Sequence, residues 1–461
     1  MSDGNATSPR PHLAALEDKS LEPPKTTEER VKGRQVLLSS FIGSVVEWYD
    51  FLLYGTAAAL VFSQVFFVQL DPAVGLLASF STLAVGYLSR PLGGIVFGHF
   101  GDRVGRKKML MITILLMGIA STLIGLLPTY GQIGVAAPIL LVVLRLIQGF
   151  AVGGEWGGAV LMTLEHSAAQ KRGAWSSVAQ MGAPAGTLLS SGVLALMSLL
   201  PSEQFLSWGW RVPFLLSVVL LVVAVWIRRR VSESPIFEAA QKQAELTSET
   251  KIPIVEVLKR NKVRVLLAVL IGLGPFVHNG VVLAFVIAYS QKTGISSTTA
   301  LVGNLLSAAV TIFTLPLFAA LSDKVGRRPV TLWAGMLLAV NAFVLFAMVN
   351  SGNAWLYLIT IVISGVIHSA MYGPMAAFMA EMFGTGTRYT GTSLGYQLAS
   401  VIGGGFGPLI ATTLLALGGG APNTIYVSMF IAASCLATVL AAYFVSETNR
   451  RDLSHEDRPE N

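Results

Sequence analysis

Long apolar stretches separated by short polar segments run through most of this 461-residue chain. A helix needs about twenty mainly apolar residues to cross the hydrocarbon core of a membrane. Twelve stretches meet that requirement, at about 36–62, 74–100, 109–127, 134–163, 175–200, 210–228, 263–290, 298–322, 330–349, 354–381, 392–416 and 424–446. The pattern predicts an all-α membrane protein with twelve transmembrane helices.

The amino-acid composition also indicates a membrane protein. Hydrophobic residues make up 53% of the chain and charged residues only 12%, and the mean hydropathy is +0.65. A soluble fold of this length could not bury so large an apolar fraction. The single cysteine, Cys435, lies within an apolar stretch and is interpreted as a core thiol.

The 32 Lys and Arg residues are distributed unevenly along the chain. Six precede the first span, and twenty-two occupy the loops after even-numbered spans and the C-terminal tail, whereas only Lys292 falls on the opposite side. Arg90, Arg145 and Arg211 lie within or at the edge of spans. Because cationic loops resist translocation, we expect both termini in the cytoplasm. The net charge of +7 therefore reflects topology, and we expect no nucleic-acid partner.

These spans divide the chain into five predicted parts. Residues 1–35 form a cytoplasmic N-terminal tail without a cleavable signal, and 36–230 form a first six-helix bundle. Residues 231–262, rich in charged residues, form a cytoplasmic connector. A second six-helix bundle occupies 263–446, and 447–461 form a short solvated cytoplasmic tail.

Two repeated patterns indicate that the two bundles are related. The loop 98–107 contains the sequence GDRVGRK with Asp102, and the loop 320–328 repeats the pattern as SDKVGRR with Asp323 in the matching position. A second pattern, Glu followed seven positions later by Arg, occurs twice in the same order, at Glu165 and Arg172 and at Glu381 and Arg388. The duplication predicts two pseudo-symmetric halves that alternate access around a site between them.

The chemistry of these loops predicts a latch on the cytoplasmic side. Each acid ends a long helix before a Gly-containing turn, and the following Arg can reach back to the carboxylate or to helix C-terminal carbonyls. A charged clamp of this kind can break and re-form as the halves move. The expected latch residues are Asp102, Arg103, Arg106, Glu165, Arg172, Asp323, Arg327, Glu381 and Arg388. The alternative is that the cations only anchor the topology.

Longer motifs carry a family resemblance. They are VEWYDFLLYG at 46–55, SRPLGG at 89–94, RLIQGFAVGGEWGG at 145–158 and WGWRVPF at 208–214. Together with GDRVGRK they make residues 35–446 resemble the major facilitator superfamily, and within it the metabolite:proton symporter family, with a particular likeness to bacterial shikimate transporters. The resemblance implies alternating access, and family members carry shikimate, 2-oxoglutarate, citrate, or proline and betaine. The motifs specify the family much more than the substrate.

Ionisable groups at membrane depth are the candidates for proton coupling, because each is costly there unless it faces partners or water. Glu47 and Asp50 are three positions apart on the first helix and so share a face. Two carboxylates at such a short distance repel each other, and this repulsion favours proton uptake by one of them. The expected proton-coupling residues are Glu47, Asp50 and Glu155. The alternative is that one or both helix 1 acids are simply paired with Arg or backbone.

Arginines at depth are the candidates for binding a carboxylate. Arg145 is ten positions from Glu155, too far along one helix for direct pairing, so it can receive a substrate carboxylate or hold a helix 1 acid. Arg90 and Arg211 are included on the resemblance, because the matching arginines of 2-oxoglutarate carriers are implicated in anion binding. Arg211, beside two tryptophans, can instead snorkel to the outer interface.

Neutral polar side chains complete the expected site. The second half is poor in charge at depth and suits hydroxyls or amides; Asn304 and His368 are among its polar groups. The remaining expected substrate-binding residues are Tyr54, Gln148, His278, Tyr372, Tyr396 and Gln397. A buried membrane histidine can equally serve as a hydrogen-bonding group between helices.

The expected function is proton-coupled symport of a small carboxylate metabolite, shikimate-like or another organic acid, in the bacterial cytoplasmic membrane. Uptake of a zwitterionic osmolyte such as proline or betaine is the alternative. It is less favoured because osmosensory members carry a long C-terminal coiled coil and about fifteen residues follow the last span here. A nontransporting receptor is a remote third. Nucleophile, metal-ligand and phosphate-loop patterns of an enzyme are not found. The expected partners are the substrate, protons and membrane lipid, with no cofactor or metal, and the protein is expected to be a monomer.

Overall fold

A computed structural model describes residues 27–104, 106–153, 169–230, 261–384, 387–449 and 451, together with positions 156, 160, 163, 164 and 167. Twelve long helical segments lie within these residues, and we number them α1 to α12. They are 27–65, Pro72–Val104, Arg106–Leu126, Ala136–Gly153, 172–197, 202–230, 262–292, Ser297–Val325, Arg327–Asn350, Ala354–Glu381, 388–417 and Ile425–Phe444.

Ten of the twelve are long and apolar enough to cross a membrane. The other two are α3, whose apolar part is the shorter Met111–Leu126, and α5, which is interrupted at Met181. Large apolar side chains cover the outside, and Phe313 and Trp333 are 76% and 73% exposed. In water this exposure would be costly, whereas lipid tails match it. The predicted all-α membrane fold of twelve helices is confirmed.

The turn between α8 and α9 shows how local chemistry sets a boundary. Helix α8 ends at Val325, and Gly326 follows with a φ of +112°, which an L side chain rarely adopts. Its amide donates to the carbonyl of Ser322 at 3.0 Å and so closes the last turn. Helix α9 then starts at once with Arg327, which therefore returns towards the end of α8.

Irregular helix segments occur at matching places in the two halves. A π-helical stretch, Ala58–Phe62, interrupts α1, the first helix of the first half, and a second, Val281–Val286, interrupts α7, the first helix of the second half. In the same way, the break of α5 at Met181 corresponds to the π-helical Val401–Gly405 of α11, and each of these is the fifth helix of its half. These four irregularities follow the same duplication as the two repeated loops, whereas the π-helical Phe205–Gly209 of α6 has no counterpart in α12.

Glycines allow helices within each half to pack closely. A Cβ atom on Gly186 of α5 would lie 2.7 Å from the amide nitrogen of Tyr49 in α1. In the second half, one on Gly403 of α11 would lie 2.6 Å from Cβ of Phe276 in α7. Both glycine-rich segments are therefore points of close approach between helices of one half.

Among the described residues, the two halves meet mainly along four helix pairs. Helix α5 packs against α8 and α10, α2 packs against α11, and the π-helical stretches of α1 and α7 touch each other. This surface contains the cavity, and the buried charges described below lie at it or behind it in the first half.

Candidate functional site

A central cavity of about 70 Å³ lies between the two halves. Helices α1 and α5 contribute to its wall from the first half, and α7, α8 and α10 contribute from the second. At about 10–15 Å³ of accessible volume per molecule, it has room for roughly five waters. A cavity therefore lies where the sequence predicts a site, and the second half supplies most of its wall.

The polar part of the wall comes from α7, α8 and α10. His278 and His368 stack with ring centroids 5.3 Å apart, and Tyr372 stacks on His368, also at 5.3 Å. Nε2 of His368 lies 3.2 Å from the carbonyl oxygen of Pro275. Asn304 lines the same space from α8. Two of the predicted substrate-binding residues, His278 and Tyr372, thus line the cavity.

Contacts join the two halves at both ends of α5. At one end the Asp323 carboxylate accepts hydrogen bonds from the amides of Gly173 and Ala174 at 2.8 and 2.9 Å. At the opposite end the hydroxyls of Ser198 and Thr298 are 3.1 Å apart. We call the first end the latch end.

Arg90 lies directly behind the cavity wall. Its side chain is fully buried, and its guanidinium carbon lies 5.9, 4.9 and 5.2 Å from the ring centroids of Trp48, Phe51 and Tyr87. Among the described residues, none of its three guanidinium nitrogens has a hydrogen-bond partner. Because Trp48 also lines the cavity, one indole ring separates this guanidinium from the central space. Guanidinium donors pair well with carboxylates.

Glu47 belongs to the same group of residues between the halves. Both Glu47 and Arg90 lie close enough to the hydroxyls of Tyr372 and Tyr396 to act on them electrostatically. The two tyrosine hydroxyls are 3.1 Å apart, and Tyr396 stacks on Trp156 of the first half at 3.4 Å. Tyr396 and Tyr372 thus join the buried charges of the first half to the second half.

Asp50 has different surroundings from Glu47. Its carboxylate is completely buried inside the first half and accepts a hydrogen bond from the hydroxyl of Ser217 on α6. Ser121 on α3 is a second hydrogen-bonding partner. The two acids share helix α1, but their contacts lie on different sides of the first half. The sequence analysis did not predict these two serines as partners of Asp50, because serines within apolar spans form no pattern that indicates which residue they contact.

Arg145 is linked to Asp50 through side chains of α4 and α3. Its Nη1 donates to Oε1 of Gln148 at 3.1 Å, and Nε2 of Gln148 donates to the Ser121 hydroxyl at 2.6 Å. The guanidinium carbon of Arg145 lies 4.1 Å from the ring centroids of both Phe51 and Tyr54. No described acid forms a hydrogen bond or ion pair with Arg145. The expected alternative, an arginine that holds a helix 1 acid directly, is replaced by an indirect link through Gln148 and Ser121.

The other predicted substrate residues lie outside the cavity wall. Nη1 of Arg211 donates to the carbonyls of Gly125 and Leu127 at 2.9 and 2.6 Å, at the end of α3. Tyr54 donates to the Thr82 hydroxyl at 2.7 Å, and Nε2 of Gln397 donates to the carbonyl of Gly153 at 3.2 Å. Glu155 lies outside the described residues.

At the latch end, the structure brings together three of the four latch residues predicted in the second half, Asp323, Arg327 and Glu381. Arg327 is fully buried, and its Nη2 lies 2.7 Å from Asp323 and 3.2 Å from Glu381. Its Nε also donates to Glu381, at 3.3 Å. Since Asp323 also accepts the two amides at the start of α5, one carboxylate connects both halves. The backbone amides of Gly173 and Ala174 gave no side-chain signal in the sequence.

The segment after α12 also takes part in this cluster. Glu447 accepts hydrogen bonds from the amides of Arg327 and Arg328 at 2.8 and 3.1 Å, and the Thr448 hydroxyl donates to Glu381 at 2.7 Å. The expectation of a purely solvated tail from 447 onwards is therefore wrong for Glu447 and Thr448. Glu447 is far from Arg327 in the sequence, so no local pattern reveals the contact.

The remaining latch predictions are described only in part. Nη1 of Arg172 donates to the carbonyl of Arg451 at 3.0 Å, and Nε of Arg388 donates to that of Phe383 at 3.2 Å. Glu165 and the side chains of Asp102, Arg103 and Arg106 lie outside the described residues. The first-half latch therefore stays a prediction.

Two family models match the chain in succession. The model "Sugar (and other) transporter" matches residues 36–254, and the model "Major Facilitator Superfamily" matches residues 279–460. The two matches cover the first and second halves of the fold.

Curated relatives cover nearly the whole chain. The shikimate transporter of Escherichia coli K12 is 43% identical, with 94% of this chain and 98% of the relative covered. An inner membrane metabolite transport protein of the same organism is 38% identical over 91% of this chain and 95% of its own length. The Escherichia coli K12 proline/betaine transporter is 32% identical over 92% of this chain and 85% of its own length.

Solved structures support the fold. The partially occluded, inward-open form of the Escherichia coli xylose transporter superposes with a TM-score of 0.73 at 19% identity, over 92% of this chain and all of that one. A D-xylose–proton symporter gives a TM-score of 0.69 at 20% identity, over 89% of this chain and 96% of that one.

Proposed function

The chain belongs to the major facilitator superfamily of membrane transporters, and on that premise we propose that it is a proton-coupled symporter of a small carboxylate metabolite, with a shikimate-like acid as its substrate. The observation that carries the proposal is the 43% identity to a shikimate transporter over 94% of the chain. The completely buried Arg90, without a hydrogen-bond partner among the described residues and separated from the cavity by Trp48, supports a carboxylate ligand.

Two buried arginines are proposed to respond to the substrate carboxylate in different ways. Arg90 is the anchor for the substrate carboxylate, because it lies next to the cavity wall and has donors to offer. Arg145 senses the same charge from deeper in the first half, where Gln148 and Ser121 connect it with Asp50. A negative ligand near both guanidiniums changes the electrostatic environment of Asp50, so that substrate binding and proton release become linked.

Asp50 is the proposed proton acceptor. No described cation contacts its buried carboxyl group directly, and the hydroxyl network around it can accommodate either protonation state. Glu47, near Tyr372 and Tyr396, is proposed to couple the charge of the first half to movement of the second.

Alternating access is proposed to proceed by breaking the contacts between the halves at one end at a time. The latch end is proposed to face the cytoplasm, because the predicted basic loops fall on that side. Breaking the contacts of Asp323 with Gly173 and Ala174 would open this end, and separating Ser198 from Thr298 would open the other. The protein is proposed to work as a monomer with both termini in the cytoplasm.

The experiment is uptake into proteoliposomes that contain the purified full-length chain. Radiolabelled shikimate, 2-oxoglutarate, citrate, proline and betaine are offered under an imposed inward proton gradient, an inward sodium gradient or no gradient. The proposal expects concentrative uptake of shikimate under the proton gradient alone. Uptake of 2-oxoglutarate or citrate in place of shikimate would keep the symport and change the acid. Uptake driven only by sodium, or of no acid at all, would refute it.

A zwitterionic substrate is the second candidate. The 32% identity to a proline/betaine transporter supports it, and so do the aromatic rings of Trp48, Phe276 and Tyr372 along the cavity, because such rings attract quaternary ammonium groups. In the same panel, this candidate expects betaine uptake and no competition by shikimate.

A further inference from the structure

The cavity wall contains polar atoms whose hydrogen bonds are unmet. Both ring nitrogens of His278 and both amide atoms of Asn304 are buried without a hydrogen-bond partner. Their residues are 3% and 1% exposed, and both line the central cavity. Buried polar groups in folded proteins nearly always have partners, so four unmatched atoms on two residues of one cavity wall mark a place where a ligand or water completes the bonding.

His368 adds a second imidazole ring, and one contact of this ring shows which of its nitrogens carries the hydrogen. Because the carbonyl of Pro275 can only accept, Nε2 of His368 carries the proton towards it, and in the neutral ring Nδ1 is then an acceptor. The two imidazoles are stacked with an angle of 20° between their planes, which fixes their edges relative to each other. Two cationic rings at this distance would repel, so the two imidazoles are not expected to be protonated together.

The wall is otherwise uncharged. Among the described residues that line the cavity there is no Lys, Arg, Asp or Glu. A neutral imidazole and a carboxamide each offer both a donor and an acceptor. A carboxylate needs only donors, and a quaternary ammonium group uses neither. The group that matches paired donors and acceptors is an alcohol, which donates and accepts at the same oxygen.

We infer that His278, Asn304 and His368 form a subsite of the second half that recognises neighbouring hydroxyl groups on the substrate. The inference rests on the proposed function and deepens it. The carboxylate is directed towards Arg90, behind Trp48 and Tyr372, and the hydroxyl-bearing part of the molecule faces α7, α8 and α10. The substrate class is therefore a polyhydroxylated ring monocarboxylate, and dicarboxylates and betaines are disfavoured.

The test compares two acids that differ only in these groups. Shikimate and cyclohex-1-ene-1-carboxylate share the unsaturated ring and the carboxylate, but the second has no hydroxyl. Binding of each to the purified full-length protein is measured by isothermal titration calorimetry. The wild type is expected to bind shikimate at least about tenfold more tightly, because the cyclohexene acid leaves the buried donors and acceptors unmatched.

Asn304→Leu removes the amide at similar size. It is expected to weaken shikimate binding by about tenfold and to change binding of the cyclohexene acid by no more than about twofold. His278→Phe keeps a ring for stacking on His368 and removes both nitrogens, so the same selective loss is expected. His278→Gln, which restores a donor and an acceptor, should recover part of the preference.

Asn341→Leu is the matched control. Asn341 is also a buried asparagine of the second half, but its amide already donates to Ser364 at 2.5 Å and it does not line the cavity. The ratio of the two affinities should not change in this variant. Size-exclusion elution and melting temperature identify variants that fail to fold.

Failure of the inference is distinguishable from failure of the proposed function. Equal wild-type affinity for the two acids, or an equal loss of both in folded Asn304→Leu and His278→Phe, would overturn the hydroxyl subsite while carboxylate transport stands. Binding of neither acid by the wild type would refute the proposed function as well.

Discussion

Replacing Asp323 with asparagine tests whether the latch holds its end of the transporter closed. The wild-type carboxylate accepts two amides of α5 and pairs with Arg327. Asparagine can still accept from Gly173, but its NH₂ group faces the Ala174 amide as a second donor. Arg327 keeps its two contacts with Glu381, so no buried cation is left without a counterion.

The structure gives the expected size of the effect. One charge-assisted hydrogen bond is worth about 1.5–3 kcal/mol, and a carboxylate at a helix N-terminus adds about 0.3–1 kcal/mol. A loss of about 2 kcal/mol from the closed form multiplies the ratio of latch-open to latch-closed molecules by about thirty.

The assay is double electron–electron resonance between spin labels at the latch end. Lys171 and Lys324 are exposed and lie in different halves, and Cys435, the only cysteine, is replaced by alanine to leave the labels unique. Asp323→Asn should add a population with a longer distance. Asp71→Asn is the control, since Asp71 accepts the amide of Ala73 at 3.0 Å within one half only. An unchanged distance distribution in folded Asp323→Asn would contradict the latch assignment.

Three further substitutions test the buried charges. Asp50→Asn should abolish proton-driven accumulation in proteoliposomes while exchange of labelled for unlabelled substrate continues, because the amide cannot cycle a proton; retained accumulation would exclude Asp50 as the coupling acid. Arg145→Lys should weaken substrate binding by at least about tenfold although the charge is kept, because an ammonium cannot repeat the planar contacts with Phe51 and Tyr54; calorimetry with equal affinity would contradict this. Arg327→Met leaves Glu381 buried without its counterion and should cost about 3–5 kcal/mol, and adding Glu381→Gln should restore much of the melting temperature; no recovery would show that the pair does not act as a unit.

The fold and the proposed second-half latch could be predicted from the sequence, because the apolar stretches and the duplicated loop are recognisable patterns. Twelve apolar stretches correspond to twelve helices, and the duplicated loop pointed to Asp323 and Arg327. The helix bounds are confirmed to within several residues at most ends, although α2 continues to Val104 and α8 to Val325 because the membrane limit is not a helix limit.

The hydrogen-bond partners of the buried charged residues could not be predicted from the sequence. Arg145 was expected to meet a carboxylate, and its described hydrogen bond goes to Gln148, one turn along its own helix. Asp50 depends on Ser217 and Ser121, which come from two other helices. Such contacts depend on helix rotation and on which residues face each other, and hydropathy reports neither. The roles assigned to these residues remain predictions.

The contacts that join the halves at the two ends of the cavity differ in strength, so the two ends should differ in how easily they open. At the latch end the described contacts between the halves include a carboxylate with two amides, whereas at the opposite end they include a pair of neutral hydroxyls. Loss of the hydroxyl pair in Ser198→Ala should cost about 1 kcal/mol, or about fivefold in the ratio of open to closed molecules at that end.

If the two ends open from one shared occluded form, Ser198→Ala changes only its own equilibrium. The ratio of latch-open to occluded molecules should then be the same with and without Ser198→Ala, in both the wild type and Asp323→Asn. It is obtained from labels at Lys171 and Lys324 together with a second label pair beside Ser198 and Thr298, which separates the occluded molecules from those open at that end. Additivity of this kind is expected for distant, independent sites. A Ser198→Ala variant that by itself lengthens the distance at the latch end would show that the ends are mechanically coupled, and a single occluded intermediate between two independent gates would no longer describe the cycle.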